Sequence, residues 1–141
     1  MYHIAQVNIA QLQAPPGDPK VQPFFDNIDR INALAESTDG FVWRYIGEHC
    51  NDPLQVFNLS VWENLESLMG FVYRSAHVDI MRRKDEWMTP VHKTYAALWW
   101  VPTGHIPSPS EAEQKLAHLD QHGPSANAFT FAERYPLPST P

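Results

Sequence analysis

The segment Tyr2–Ala10, YHIAQVNIA, alternates with a period of two. Ile4, Gln6 and Asn8 fall on one side and His3, Ala5, Val7 and Ile9 on the other, the pattern of a β-strand and not of a helix. One side is apolar and asks for a core; the other carries two amides. Gln55–Trp62, QVFNLSVW, repeats the arrangement, with Asn58, Ser60 and Trp62 opposite Phe57, Leu59 and Val61. Laid side by side, such strands bring Gln6, Asn8, Asn58 and Ser60 into one polar patch.

The remaining elements follow outward from these two. The prolines of QAPPGDPK stop the first strand. Pro23–Glu36 carries Phe24, Ile28, Ile31, Leu34 and Ala35 at helical spacing, and Asp39-Gly40 ends that helix before an aromatic strand, Phe41–Ile46. A polar loop, GEHCNDP, leads to Gln55–Trp62. A long amphipathic helix then spans Glu63 to Trp87, with a bend near Gly70 or Ser75, and Thr94–Val101 is the fourth strand. The order is βαββαβ. It predicts an α+β, ferredoxin-like domain over residues 1–101: a four-stranded antiparallel sheet with both helices on one face. The other face, carrying either Phe41, Trp43 and Tyr45 or Phe57, Leu59 and Val61, is too apolar to stay wet, so a second copy is the simplest cover and a homodimer is expected.

From residue 102 to 141 the composition shifts to Pro, Ser, His and Gly. Ser108-Pro109-Ser110-Glu111 has the form of a capping box that opens a helix running to His122, where Gly123-Pro124 stops it. FTF and the Pro-rich tail RYPLPSTP follow, as an extended arm packed on the same domain, laid over the dimer or left loose.

Bulk properties narrow the function classes. A chain of 141 residues, 43% hydrophobic and 18% charged, suits one packed domain. A formal charge of −6 argues against nucleic acid and anionic membranes as partners, and Arg82-Arg83-Lys84 is followed at once by Asp85-Glu86, as on a solvated helix face. Cys50 is the single cysteine, and neither a signal peptide nor a spanning apolar run is visible, so a cytoplasmic location is expected. No phosphate loop, nucleotide fingerprint, Ser-His-Asp order or CxxC pair is present.

The chain resembles the dimeric α/β-barrel superfamily that includes the antibiotic-biosynthesis monooxygenases. More narrowly, NLSVWEN, VYRSAHVDIMRRKDEW, LWWVPTGH and HGPSANAFTF resemble a bacterial family known mainly as a domain of unknown function. That resemblance covers nearly the whole chain and implies a fold without a reaction. The wider superfamily implies a site between the sheet and its covering helices.

The candidate site residues are chosen on that plan. The patch of Gln6, Asn8, Asn58 and Ser60 must either face a cavity or satisfy itself, because an unpaired buried polar group costs roughly 1–3 kcal/mol. Arg44 lies on one face of the second strand, alternating with Trp43 and Tyr45. On the long helix, Leu65, Met69, Val72, Ala76, Ile80 and Trp87 form the buried stripe, and His77 sits at its edge beside Tyr73, Met81 and Lys84. From there an imidazole can face a cleft as acid or base, or can be a boundary residue bonded to a carbonyl or carboxylate. His77, Asn8 and Arg44 are the expected catalytic set. Gln6, Asn58, Ser60, Trp62, Tyr73, Trp99 and His105 are the expected substrate-binding set. Trp99 and Trp100, adjacent on a strand, face opposite ways, one toward the helices.

The haem-degrading branch of the superfamily sharpens one alternative. Its members use an Asn on the first strand and a His on the second helix that binds haem iron; Asn8 and His77 fall at similar places. Its Trp, about three turns before the His, has no counterpart in ESLMG, where Ser67 stands. The cofactor is therefore either none or haem, with His77 as the iron ligand. No other metal site is expected: His118 and His122 share a helix face but lack a local third ligand. Two function classes follow: an enzyme of monooxygenase type acting on an apolar or aromatic small molecule, and a ligand-binding module without catalysis. A structural dimer is the third.

Overall fold

A computed structural model describes residues 1–15, 17–45, 54–74, 88–89 and 95–136. In chain order the elements are β1 (Tyr2–Leu12), α1 (Gln22–Glu36), β2 (Phe41–Arg44), β3 (Gln55–Trp62), α2 (Leu65–Arg74), β4 (Met88–Thr89), β5 (Ala96–Pro102) and α3 (Pro109–His122). The sheet is antiparallel throughout and runs β2-β3-β1-β5 across its width, the ferredoxin-like order. The two-residue β4 pairs with the far end of β1, at Gln11 and Leu12. It lies where the sequence shows no alternation. His77, the predicted continuation of the second helix to Trp87, and the loop residues His49 and Cys50 lie outside the described residues.

β1 is the centre of the molecule, with a neighbour on each side and its two faces put to different uses. Its register with β3 sets Ile4 opposite Trp62, Gln6 opposite Ser60 and Asn8 opposite Asn58. All six therefore share one face. That face receives α1 and α2 through a cluster of Ile4, Ala35, Trp62, Leu68 and Leu98, with Phe41 and Phe71 packed against it. Phe41 meets the Trp62 ring edge-on, and Phe71 stacks on it, each with centroids 5.4 Å apart.

The sequence pattern puts Phe41, Trp43 and Tyr45 on one face, and here the structure differs. The register between β2 and β3 shifts between Phe41 and Trp43, so Phe41 pairs with Trp62 while Trp43 pairs with Val61. This bulge turns Phe41 toward the helices and leaves Trp43 and Tyr45 with the opposite cluster.

The second face is not bare. Ala5, Val7, Leu59, Val61, Ala97, Trp99 and Val101 are at most 2% exposed, and α3 lies on them with Ala112, Leu116 and Leu119. Among the described residues, then, that face is covered by α3 and not left bare as the sequence pattern suggested.

The helix start at Ser108 forms as the capping box implies in one half only. Ser108 Oγ accepts the Glu111 amide at 3.1 Å, but the Glu111 carboxylate turns away to the sheet: Oε2 accepts the Trp99 indole N–H at 2.9 Å, and Oε1 meets His105 Nε2 at 2.7 Å. The chain after α3 then crosses the edge of β5, where Phe129 and Leu98 exchange backbone hydrogen bonds of 2.8 and 2.9 Å. Beyond the edge Phe129, Phe131 and Tyr135 join the helix-side cluster.

Gly40 fixes how α2 returns to the sheet. Its φ is 92°, a conformation L side chains rarely adopt, and a Cβ there would collide with the Ser67 side chain. Its carbonyl also accepts the Glu63 amide at 2.7 Å. Gly40→Ala is expected to destabilise the fold by about 2–4 kcal/mol, read by urea unfolding. Pairing it with Ser67→Gly recovers the steric share and leaves about 1 kcal/mol of backbone strain.

Candidate functional site

The alternation of β1 and β3 delivers the polar patch to the helix-bearing face, where it forms a directional network. The Asn8 Nδ2 donates to Gln6 Oε1 at 3.1 Å. Gln6 Nε2 donates in turn to Ser60 Oγ at 2.7 Å and to Asn58 Oδ1 at 3.3 Å. Ser60 Oγ also accepts the Trp62 indole N–H at 2.9 Å. Gln6 and Ser60 are buried, at 8% and 5% exposure, whereas Asn8 and Asn58 are half-buried. The inner half of the patch is thus self-satisfied and the outer half is accessible.

The unused valences have a definite chemistry. Among the described residues, Asn8 Oδ1 and Asn58 Nδ2 take no part in the network, one an acceptor and one a donor, side by side on paired strands. Ser60 Oγ already accepts two hydrogen bonds, so its own proton is its remaining valence. Arg44 stands opposite Ser60 in the β2–β3 register, on the same face. Its Nε is buried 3.5 Å from Glu36 Oε2, in an ion pair whose geometry gives that nitrogen no hydrogen bond among the described residues. A cation beside a donor–acceptor amide pair is suited to holding a ligand oxygen that carries or develops negative charge.

The other expected site residues divide. Gln6, Asn8, Arg44, Asn58, Ser60 and Trp62 are brought together, with Trp62 as the aromatic end wall of the patch. Trp99 and His105 are not: both bond Glu111 at the α3 side, across the sheet from the patch. The tryptophan turned to the helix side is Trp100, whose indole donates to the Tyr135 carbonyl at 3.0 Å. Tyr73 lies in α2, and its side chain is outside the described set, as is His77 altogether. A groove of about 240 Å³ also lies on the α3 side, between Phe57 of β3 and Leu116 of α3, and does not reach the patch.

Two residues were not singled out by the sequence pattern. Glu36, the last residue of α1, reaches Arg44 because the Asp39-Gly40 turn folds the helix end back beside β2; that turn was the available signal. Glu111 was visible only as half of a capping box, and nothing local marks it as the partner of Trp99 and His105. His118 and His122 stand on one face of α3 with ring centroids 4.7 Å apart, and no group of three metal-ligating side chains occurs among the described residues. No helix among them is long and apolar enough to cross a membrane.

A family model described as a domain of unknown function, DUF3291, matches residues 3–141. The chain belongs to that family. Among curated proteins none matches the DUF3291 chain. Solved structures match its fold. SnoaB, a cofactor-independent oxygenase from Streptomyces nogalater, is 14% identical with a TM-score of 0.56, over 77% of this chain and all of its own. A conserved protein from Methanosarcina mazei is 17% identical with a TM-score of 0.55, over 72% of this chain and 92% of its own. A Nitrosomonas europaea protein provisionally named an antibiotic biosynthesis monooxygenase is 9% identical with a TM-score of 0.55, over 76% and 94%. At these identities the likeness is one of fold alone: the DUF3291 chain shares the α+β arrangement of these structures.

Ser60→Ala tests whether the network is as tightly held as its distances indicate. It strands the Trp62 indole N–H and one bond of Gln6 in a buried site, for an expected loss of about 1–3 kcal/mol in chemical unfolding. The near-ultraviolet circular dichroism of Trp62 should change with it.

Proposed function

We propose that the chain is a small-molecule enzyme of monooxygenase type, working on the helix-bearing face of its sheet. The observation that supports this reading is the half-satisfied amide network: Gln6 and Ser60 anchor it in the core, and Asn8 and Asn58 present an acceptor and a donor at its accessible end. Because Asn8 and Asn58 are only half-buried, their open valences can be met by water and are available to a ligand oxygen that displaces it. Arg44, with its buried Nε unbonded among the described residues, adds the positive charge that an enolate or phenolate oxygen would need.

The substrate that suits these groups is an apolar or aromatic molecule with one oxygen function. In the reaction proposed, His77 takes a proton from an electron-rich carbon acid. The resulting carbanion, its charge spread onto the oxygen held by Arg44 and Asn58, bonds through carbon to molecular oxygen. The peroxide takes the proton back from His77, and its O–O bond breaks with loss of water, using a second hydrogen of that carbon, to leave a carbonyl. The protein's contribution is a dry surface, a placed base and a fixed orientation. The fold shared with a cofactor-independent oxygenase is consistent with such chemistry but supplies no residue roles. Haem is the alternative, through Asn8 and His77, and its expected iron ligand lies outside the described residues.

The test is oxygen uptake by the purified chain with a panel of electron-rich aromatic carbon acids and no added cofactor. His77→Ala is expected to lower kcat by about 10²–10⁴-fold, the range for loss of a general base. Asn8→Ala and Arg44→Ala should raise KM as well as lower kcat. If His77→Ala turns over every active compound as the parent does, the assignment of the base is wrong. A Soret band on haem addition that His77→Ala abolishes would favour the binding module.

A further inference from the structure

We infer that Glu36 sets which charge the site accepts: its carboxylate partly neutralises Arg44, so an uncharged oxygen function is favoured and a carboxylate is disfavoured. This rests on the role proposed for Arg44 in holding a ligand oxygen, and it narrows the substrates to neutral oxygen compounds such as ketones and phenols.

Glu36 is poorly suited to its own helix. It is the last residue of α1, and no basic side chain stands in that final turn. A carboxylate there meets the negative end of the helix dipole, a position that favours cations. The surrounding turn is nevertheless held firmly. The Ser37 and Thr38 hydroxyls both donate to the Leu34 carbonyl, at 3.0 and 2.7 Å. The Thr38 amide donates to the Ala35 carbonyl at 3.0 Å, and the Phe41 amide to the Thr38 carbonyl at 3.1 Å. Glu36 is thereby fixed beside β2. Among the described residues, its ion-pair partner there is Arg44, with Oε2 3.5 Å from Nε.

The pair is close enough for charge and too loose for a hydrogen bond. Arg44 Nε is buried, yet it finds no acceptor among the described residues. Glu36 therefore lowers the net charge at this point and leaves the N–H open. A neutral carbonyl or hydroxyl oxygen arriving between Arg44 and Ser60, which face each other across β2 and β3, can accept that N–H without displacing Glu36. As negative charge grows on the oxygen, its attraction to Arg44 grows too, so the cation acts more on the transition state than on the bound substrate. A carboxylate ligand brings its full charge at the outset and crowds two anions around one guanidinium. The Arg44 and Glu36 side chains are 24% and 47% exposed, so water screens that conflict. Its effect on affinity is about five- to tenfold.

A naphthol and the naphthoic acid of the same ring position test this, because at about pH 7 a phenol is neutral and a carboxylic acid ionised. Binding of each to the full chain is measured by equilibrium dialysis. The parent should bind the naphthol more tightly. Glu36→Gln should tighten naphthoate about five- to tenfold while naphthol stays within about twofold. Glu36→Asp, which keeps the charge, should keep the preference of the parent. Arg44→Gln should weaken naphthol and, combined with Glu36→Gln, remove the naphthoate gain. An ion pair that served structure alone would move both ligands together, and that result overturns the inference. Naphthol binding that depends on Arg44, with naphthoate unmoved by Glu36→Gln, overturns the inference and leaves the proposed role of Arg44 standing. If neither compound binds the parent or Glu36→Gln, that role falls and the inference with it. Should Arg44→Gln not fold, salt takes its place: the naphthoate gain should shrink at high ionic strength while naphthol binding holds, and a salt-independent gain overturns the inference.

Discussion

The pairing of β1 with β3 is the constraint on which the rest of the molecule depends. It sets Gln6 against Ser60 and Val7 against Leu59, so a polar row and an apolar row lie back to back through one layer of backbone. A slip of one residue would carry Val7 and Ile9 to the α1–α2 side and Gln6 and Asn8 beneath α3. Both faces are buried, so such a slip would strand amides in one core and leave the other unfilled. The Gln6–Ser60 hydrogen bond is thus a lock on register as well as part of a candidate site.

Much of the architecture was legible in the chain because strands with unlike faces announce themselves. The alternation of YHIAQVNIA and QVFNLSVW, the helical spacing of Phe24, Ile31 and Ala35, and the stop at Asp39-Gly40 all reappear in the structure. What escaped was non-local. The bulge that turns Phe41 away from Trp43 leaves no mark in a four-residue strand, since either phase buries an aromatic ring. Met88–Thr89 pairs only because the end of β1 offers it an edge, and two residues carry no period. The docking of α3 depends on Ala112, Leu116 and Leu119 finding a surface assembled from β1, β3 and β5, which no local pattern specifies.

The candidate site divides along the same line. Residues on the paired central strands were placed by periodicity, so Gln6, Asn8, Asn58, Ser60 and Trp62 meet on one face. Arg44 reaches that face only because the bulge precedes it. Trp99 and Trp100 illustrate the limit: adjacency on a strand says that they part, but the direction of each depends on the register of β5 with β1. The two clusters they enter have opposite roles, one beneath α3 and one beside the candidate site.

The position of α3 in the chain has a consequence for biosynthesis. All the described strands of the sheet precede residue 103, while the groups that cover its second face, Ala112 to Ala128, follow. A nascent chain therefore completes the sheet before it can cover it. At roughly 5–20 residues per second the interval is a few seconds, during which Val7, Leu59 and Trp99 face solvent or a chaperone. A product that stops before α3 leaves that face bare, and it is the species most exposed to aggregation.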